Sequence, residues 1–239
     1  MNQIVAESNE AMKKEIDWFV GLSDYPFLID SSAQEVRAFG VKYATEIGVA
    51  DRAIHNSINA SITDEELAAL KESDVDSAIV LTFNAIEKGT KGKMEMMTKA
   101  AGGAKKSLME YANECGITRP LIDVAAMPLG AGSGATYRAV IAIKALFGLP
   151  VGAGFHNGAS AWDWMKKWKK THKEAFAPVD IGSNLVAGIV GADYYLYGPI
   201  ENAPMIFPAA AMVDIMKAES IEELGLKILA EKHPKNTTL

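Results

Sequence analysis

The sequence predicts an α/β protein with parallel strands, and the parallel architecture that fits it best is the TIM-type (β/α)8 barrel. Three observations carry this. Short apolar runs alternate with longer amphipathic segments along nearly all of the 239 residues, the rhythm of strand–helix–strand units joined by right-handed crossovers. The runs are mostly apolar throughout rather than alternating, as strands buried on both faces are. Finally, Asp30, Asn56, Asn84, Asp123 and Asn157 fall at or near the carboxyl ends of different runs. An open sheet gathers its ligand groups at one switch point, whereas a barrel turns every strand end toward one mouth.

The strand candidates, in order, are Gln3–Ala6, Phe27–Asp30, Ala53–Ser57, Ser77–Phe83, Leu121–Ala125, Val151–Phe155 and Tyr194–Tyr197. After the second of these, Ser32 with Glu35 has capping-box spacing, as does Thr63 with Glu66 after the third. In such a box a hydroxyl and a carboxylate satisfy the orphan amides of a helix start. Val36, Phe39, Tyr43, Ala44 and Ile47 recur at three- and four-residue spacing, a stripe that packs a helix on a sheet. Gly48 closes that helix, and Gly116 and Gly148 are expected to close later ones. The stretch from Ala85 to Thr118 reads as helical, interrupted near Gly102 and Gly103. Seven strands are one short of the barrel's eight, and the chain enters its first strand almost at once. The expectation is therefore a single domain over residues 1–239 with a first strand–helix unit absent ahead of Gln3.

Composition narrows the function. Hydrophobic residues make up 49% and charged residues 23%, and the formal net charge is −6, which argues against a nucleic-acid binder with its basic face. The lone cysteine, Cys115, allows no internal disulfide and no multi-cysteine metal site. No apolar run approaches a membrane span, and Met1–Glu10 lacks the pattern of a secretory leader. A cytoplasmic enzyme is expected.

Most catalytic templates find no match. There is no phosphate-gripping G-x-x-x-x-G-K-[ST]. The segment Gly130–Ala135 is Gly-rich without a lysine and reads as a loop over the barrel mouth. His55 and His156 sit beside asparagines, His172 and His233 lie in charged stretches, and none has metal-ligand spacing. Cys115 ends a helix beside Gly116 with no base paired to it, so it reads as inert. What remains is a ring of acids and amides: Asp30, Asn56, Asp123 and Asn157, with Asn84 and Gln3 as extras. Each has a bland reading as the first residue of a loop. As a group they suit a flat heterocycle, because a carboxylate accepts two bonds from a guanidine-like edge and an amide both donates and accepts.

At these residues the chain resembles a known family. Pro26–Ser32 (PFLIDSS), His55–Asn59 (HNSIN), Leu121–Met127 (LIDVAAM), Gly148–Gly158 (GLPVGAGFHNG) and Tyr194–Glu201 (YYLYGPIE) are similar to the H subunit of tetrahydromethanopterin S-methyltransferase. They are most like its bacterial relatives, the methylcorrinoid:tetrahydrofolate methyltransferases of glycine betaine catabolism. The resemblance implies a TIM barrel, a homodimer, and methyl transfer from a methylcorrinoid such as methylcobalamin to N5 of tetrahydrofolate by in-line displacement. A separate corrinoid protein would carry the cobalt. The alternatives are tetrahydromethanopterin as acceptor, or a non-catalytic pterin-binding subunit of a larger complex. By the same resemblance Asp30, Asn56 and Asp123 hold the pterin ring and Asn157 reaches N5, making Asn157 and Asp123 the expected catalytic residues. Gln3 stands where relatives often carry an acid.

One segment is left over. Trp162–Lys173 (WDWMKKWKKTHK) holds three tryptophans and five lysines. It is expected to be an amphipathic helix with its tryptophans packed inward. Docking an acidic corrinoid protein, or gripping the glutamate tail of folate, are the functional alternatives.

Overall fold

The computed structural model describes residues 1–237 and divides into two units, Met1–Asp123 and the chain from Val124 onward. In the first unit the apolar runs become five strands with helices between them. β1 (Asn2–Val5) leads to α1 (Asn9–Leu22), β2 (Phe27–Asp30) to α2 (Gln34–Glu46), and β3 (Ala53–Ile58) to α3 (Asp64–Glu72). β4 (Ser77–Leu81) is followed by α4 (Thr90–Thr98) and α5 (Leu108–Glu114), and β5 (Arg119–Asp123) ends the unit. Each strand pairs in parallel with the next, and the peptide between Asn56 and Ser57 is cis.

Burial supplies the cohesion. Phe27, Leu28, Ile29, Ala78, Ile79, Val80 and Ile122 are at most 1% exposed; each large apolar side chain so removed from water stabilises the fold by about 1.5–3 kcal/mol. Gly40 lets α2 settle on the sheet, because a Cβ there would lie 2.5 Å from Ile29 Cγ2 and 3.3 Å from Met12 Cγ.

All seven expected strands are present, all but the second with altered ends. β5 begins two residues early, at Arg119: its guanidinium binds Asp76, and Pro120 pairs with Ala78, so a polar start is satisfied inside the sheet. β4 stops at Leu81, but the Thr82 amide and hydroxyl still donate to the Asp123 carbonyl at 2.9 and 3.0 Å before the chain turns away. The helix starts divide the capping expectations. Thr63 Oγ1 accepts from the Glu66 amide at 3.2 Å, but the Glu66 carboxylate goes to Arg37 instead of returning to the cap. Ser32 caps nothing; Ala33 holds that position and the Ser32 hydroxyl donates to Glu7 at 2.7 Å. Among the described residues, a complete box is formed by Ser107 with Glu110. Gly48, Gly116 and Gly148 all take positive φ just past helices, as expected.

The second unit has shorter strands and more helix. α6 (Ser133–Phe147) precedes β6 (Val151–Ala153), and then come α7 (His156–Ser160), α8 (Asp163–Trp168) and α9 (Phe176–Ile189). β7 (Tyr194–Tyr195), α10 (Ala203–Glu223) and α11 (Pro234–Thr237) complete it. β6 and β7 are parallel, with Gly152 opposite Tyr194. A Cβ on Gly152 would fall 2.4 Å from the Tyr194 carbonyl oxygen, so this close pairing requires glycine. The Gly-rich segment is only half a loop: Gly132 caps α6, and Ser133–Ala135 form its first turn. Among the described residues, no helix is long and apolar enough to cross a membrane.

Candidate functional site

In a parallel sheet, residues in register face the same side and alternate residues face opposite sides. Asp30 is in register with Asn56 and Val5, Asn56 with Ile79, Ile79 with Leu121, and Leu81 with Asp123. Asp30, Asn56 and Asp123 therefore share one face of the first unit's sheet, each at or near its strand's carboxyl end. Gln3, two residues before Val5, shares that face, and its side-chain amide donates to the Asp30 carboxylate. Burial raises the Asp30 pKa above the usual carboxylate value, opposed by the Gln3 hydrogen bond and the Arg37 charge.

The opposite face holds a buried charged cluster. Arg37 of α2 donates from Nε and Nη2 to the two oxygens of Glu66 at 2.6 and 3.0 Å, and from Nη1 to the Ser31 carbonyl at 2.5 Å. It thereby ties the residue after Asp30 to the helix layer. His55, next to Asn56 but turned the other way, is fully buried with Nε2 3.3 Å from Glu66 Oε1. Burial, assisted by the Arg37 charge, pushes its pKa down to about 3. The ring is neutral, and its contact with Glu66 lacks hydrogen-bond geometry; it is not an ion pair. Through Arg37 the cluster links the chain just after β2 to α2 and α3.

Asp123 is 7% exposed, and α4 brings Lys93, 1% exposed, into electrostatic contact with it. Burial pulls the Lys93 pKa down to about 8, with the Asp123 carboxylate opposing the shift. Asn84, also buried, is engaged in its own loop: Oδ1 accepts from the Ile86 and Glu87 amides at 3.0 and 2.9 Å, and Nδ2 donates to the Gly92 carbonyl at 3.4 Å.

In the second unit, Asn157 lies in the first turn of α7 and is exposed. Its amide nitrogen Nδ2 would be 2.7 Å from a Cβ on Gly154, so the side chain rests directly over the backbone that leaves β6. His156 is half-buried, and burial lowers its pKa. The Trp162–Lys173 segment departs from expectation. α8 is six residues long, Met165 is its buried anchor, and the tryptophans form a ladder instead of a core. Trp162 to Trp164, Trp164 to Trp168 and Trp168 to His172 have ring centroids 4.9, 5.1 and 4.1 Å apart. Trp164 is 49% and Trp168 40% exposed. The physical reason is spacing: around a turn this short, Met165 is the side chain aimed inward.

Two further features stand apart from these strand ends. Cys115 is buried with its pKa raised by burial. A cleft lined by Asp64, Leu67, Lys71, Lys106, Tyr111 and Glu114 contains none of the strand-end acids and amides.

Residues 1–229 match the family described as the tetrahydromethanopterin S-methyltransferase MtrH subunit. The chain belongs to that family. Its similarity to the H subunit of tetrahydromethanopterin S-methyltransferase is 59% identity over 239 residues in Methanosarcina barkeri (strain Fusaro / DSM 804), covering 98% of this chain and 76% of the relative. The same subunit of the Methanopyrus kandleri enzyme is 46% identical over 246 residues, covering 99% and 76%. The H subunit of a putative methyltransferase, mtx, of Methanosarcina acetivorans is 43% identical over 236 residues, again 99% and 76%. The family expected from the motifs is thus the one found, and it is a methyltransferase family. The pterin in the names of the first two relatives is tetrahydromethanopterin, the alternative acceptor expected from the sequence, not tetrahydrofolate.

Beside this candidate site stands a residue that no sequence motif singles out, Lys93. It is one of two lysines on α4. The signal was present: Met96 and Met97 stand three and four residues on, and all three are buried on one helix face.

Proposed function

We propose that this chain transfers a methyl group between a corrinoid on a partner protein and N5 of a reduced pterin, with tetrahydromethanopterin as the pterin. The observation that carries the reading is the common face of Asp30, Asn56 and Asp123 at the carboxyl ends of adjoining parallel strands. Membership of a methyltransferase family and the names of its relatives support the choice of pterin. In the same reading the seven strands belong to one TIM-type barrel.

The residues fit a flat pterin ring. Two carboxylates that accept but do not donate suit the donor-rich, guanidine-like edge, and the Asn56 amide serves either kind of group. Lys93, buried beside Asp123, interacts electrostatically with that carboxylate. Gln3 orients Asp30. Asn157 offers a neutral amide whose oxygen stabilises N5 while it carries positive charge, without itself titrating. The corrinoid supplies the electrophilic methyl, or receives it in reverse. The protein's contribution is alignment and fixed dipoles, which needs no activated serine or cysteine.

Mixing the purified protein with methylcobalamin and either tetrahydromethanopterin or tetrahydrofolate, while following the visible spectrum, tests this. Loss of the methylcobalamin spectrum is expected, faster with tetrahydromethanopterin. Faster reaction with tetrahydrofolate would reverse the choice of acceptor. No change with either pterin, in a protein that still binds them, would make the chain a non-catalytic pterin-binding subunit.

A further inference from the structure

The aromatic ladder of α8 is not used by the pterin site. In a chain of net charge −6, residues 162–173 carry five lysines against one aspartate. Two of the lysines have intramolecular partners: Lys166 pairs with Asp163 at 3.1 Å, and Lys169 lies 4.7 Å from the Phe176 ring centroid. Lys167, Lys170 and Lys173 are exposed, and among the described residues no ion pair involves them. The rings are already ordered by stacking on one another, with Met165 buried beneath. Ordered, half-exposed tryptophans lose little conformational entropy when covered and are the side chains that dominate protein interfaces. Surrounding lysines add steering toward a negative surface.

We infer that the Trp162–Trp164–Trp168–His172 ladder with Lys167, Lys170 and Lys173 is the docking surface for an acidic face of the corrinoid-bearing protein. The inference rests on the proposed methyl transfer and names where its protein partner binds. A protein surface is favoured over a pterin tail because the ladder spans four rings with charge along it, a larger area than a single tail covers. The two readings also separate experimentally. A tail contact would affect every reaction of the pterin, whereas a protein contact affects only reactions in which the corrinoid arrives on a protein.

The decisive variant replaces Lys167, Lys170 and Lys173 by Glu, leaving the two partnered lysines in place. Wild-type tryptophan fluorescence should respond saturably to an oligoglutamate peptide, used as a stand-in for the acidic face. Its affinity should fall at least about tenfold between about 50 and 200 mM salt. The triple variant should lose that response. It should keep the wild-type rate of methyl transfer from free methylcobalamin, yet transfer at least about tenfold more slowly from a protein-bound methylcorrinoid. Unchanged transfer from the protein-bound donor overturns the inference. So does an equal loss with free methylcobalamin, which would mark a pterin-tail contact, and so does a change in oligomeric mass, which would mark a contact between copies. Should the triple variant fail to fold by circular dichroism, Lys167→Gln with Lys170→Gln repeats the comparison at lower charge. A wild-type protein inactive with free methylcobalamin sinks the proposed function instead, while the peptide titration still judges the surface.

Discussion

The two units stabilise their polar groups differently. The first carries parallel strands with buried charges near their carboxyl ends: Arg37 with Glu66 against the helix layer, and Lys93 beside Asp123. The second has strands of three and two residues, ring-on-ring contacts such as Tyr137–Phe155–Tyr195, and many exposed apolar side chains along α9 and α10. Buried charge pairs cost desolvation and give little net stability, but they fix geometry. Exposed apolar and aromatic surface does the opposite, leaving an element ready to be covered. Under the proposed function, the contrast would separate recognition in the first unit from chemistry and partner contact in the second.

Single substitutions can break that division. The largest effect expected is at Asn157, in the second unit. Asn157→Ala should lower kcat by about 100-fold or more with KM for the pterin within about threefold, as for loss of a group acting only in the transition state. Asp123→Ala, in the first unit, should instead weaken pterin binding by about 10- to 100-fold, seen in titration without the methyl donor. Parallel losses of kcat and affinity in both variants would erase the distinction.

Acid stability probes the charge cluster of the first unit. His55 has a folded pKa of about 3 against 6.5 ordinarily. Below about pH 6.5 the unfolded chain therefore takes up a proton that the folded chain refuses, and stability falls as the pH drops toward 3. Glu66, whose pKa is raised by burial, binds its proton more readily when folded and offsets part of this. Urea midpoints from pH 7 to 4.5 should show a loss of about 2 kcal/mol that His55→Gln makes shallower.

The smallest effect separates stability from function at one residue. With its pKa lowered to about 8, Lys93 loses its proton on folding between pH 8 and 10.5, so wild-type stability should rise across that window. Lys93→Met should remove the rise and raise stability at pH 7 by about 1 kcal/mol. At the same time it should weaken pterin binding several-fold. A variant that gains stability and binds pterin as before would reduce Lys93 to an accident of packing.

How much of this the sequence foretold depends on the kind of signal. β2 was legible to the residue, because an unbroken apolar run ends on a charge. β5 was not, because Arg119 and Pro120 look like loop until Asp76 and the β4 edge are known to receive them. The candidate acids and amides are visible one by one from their places at strand ends. That Asp30, Asn56 and Asp123 share a face depends on register, which no single strand encodes. Ser32 and the tryptophans of α8 were misjudged for a common reason. A local pattern says which partners a side chain can take, and tertiary contacts chose others: Glu7 for the serine, neighbouring rings for the indoles.

The glycine at 154 has a use beyond permitting a tight turn. Its missing carbon is the space over which the Asn157 amide lies, at a separation a methyl group could not share. The resting position of that amide is therefore set from beneath by one absent atom, and the smallest change of side chain available to a protein would displace it while leaving its chemistry whole.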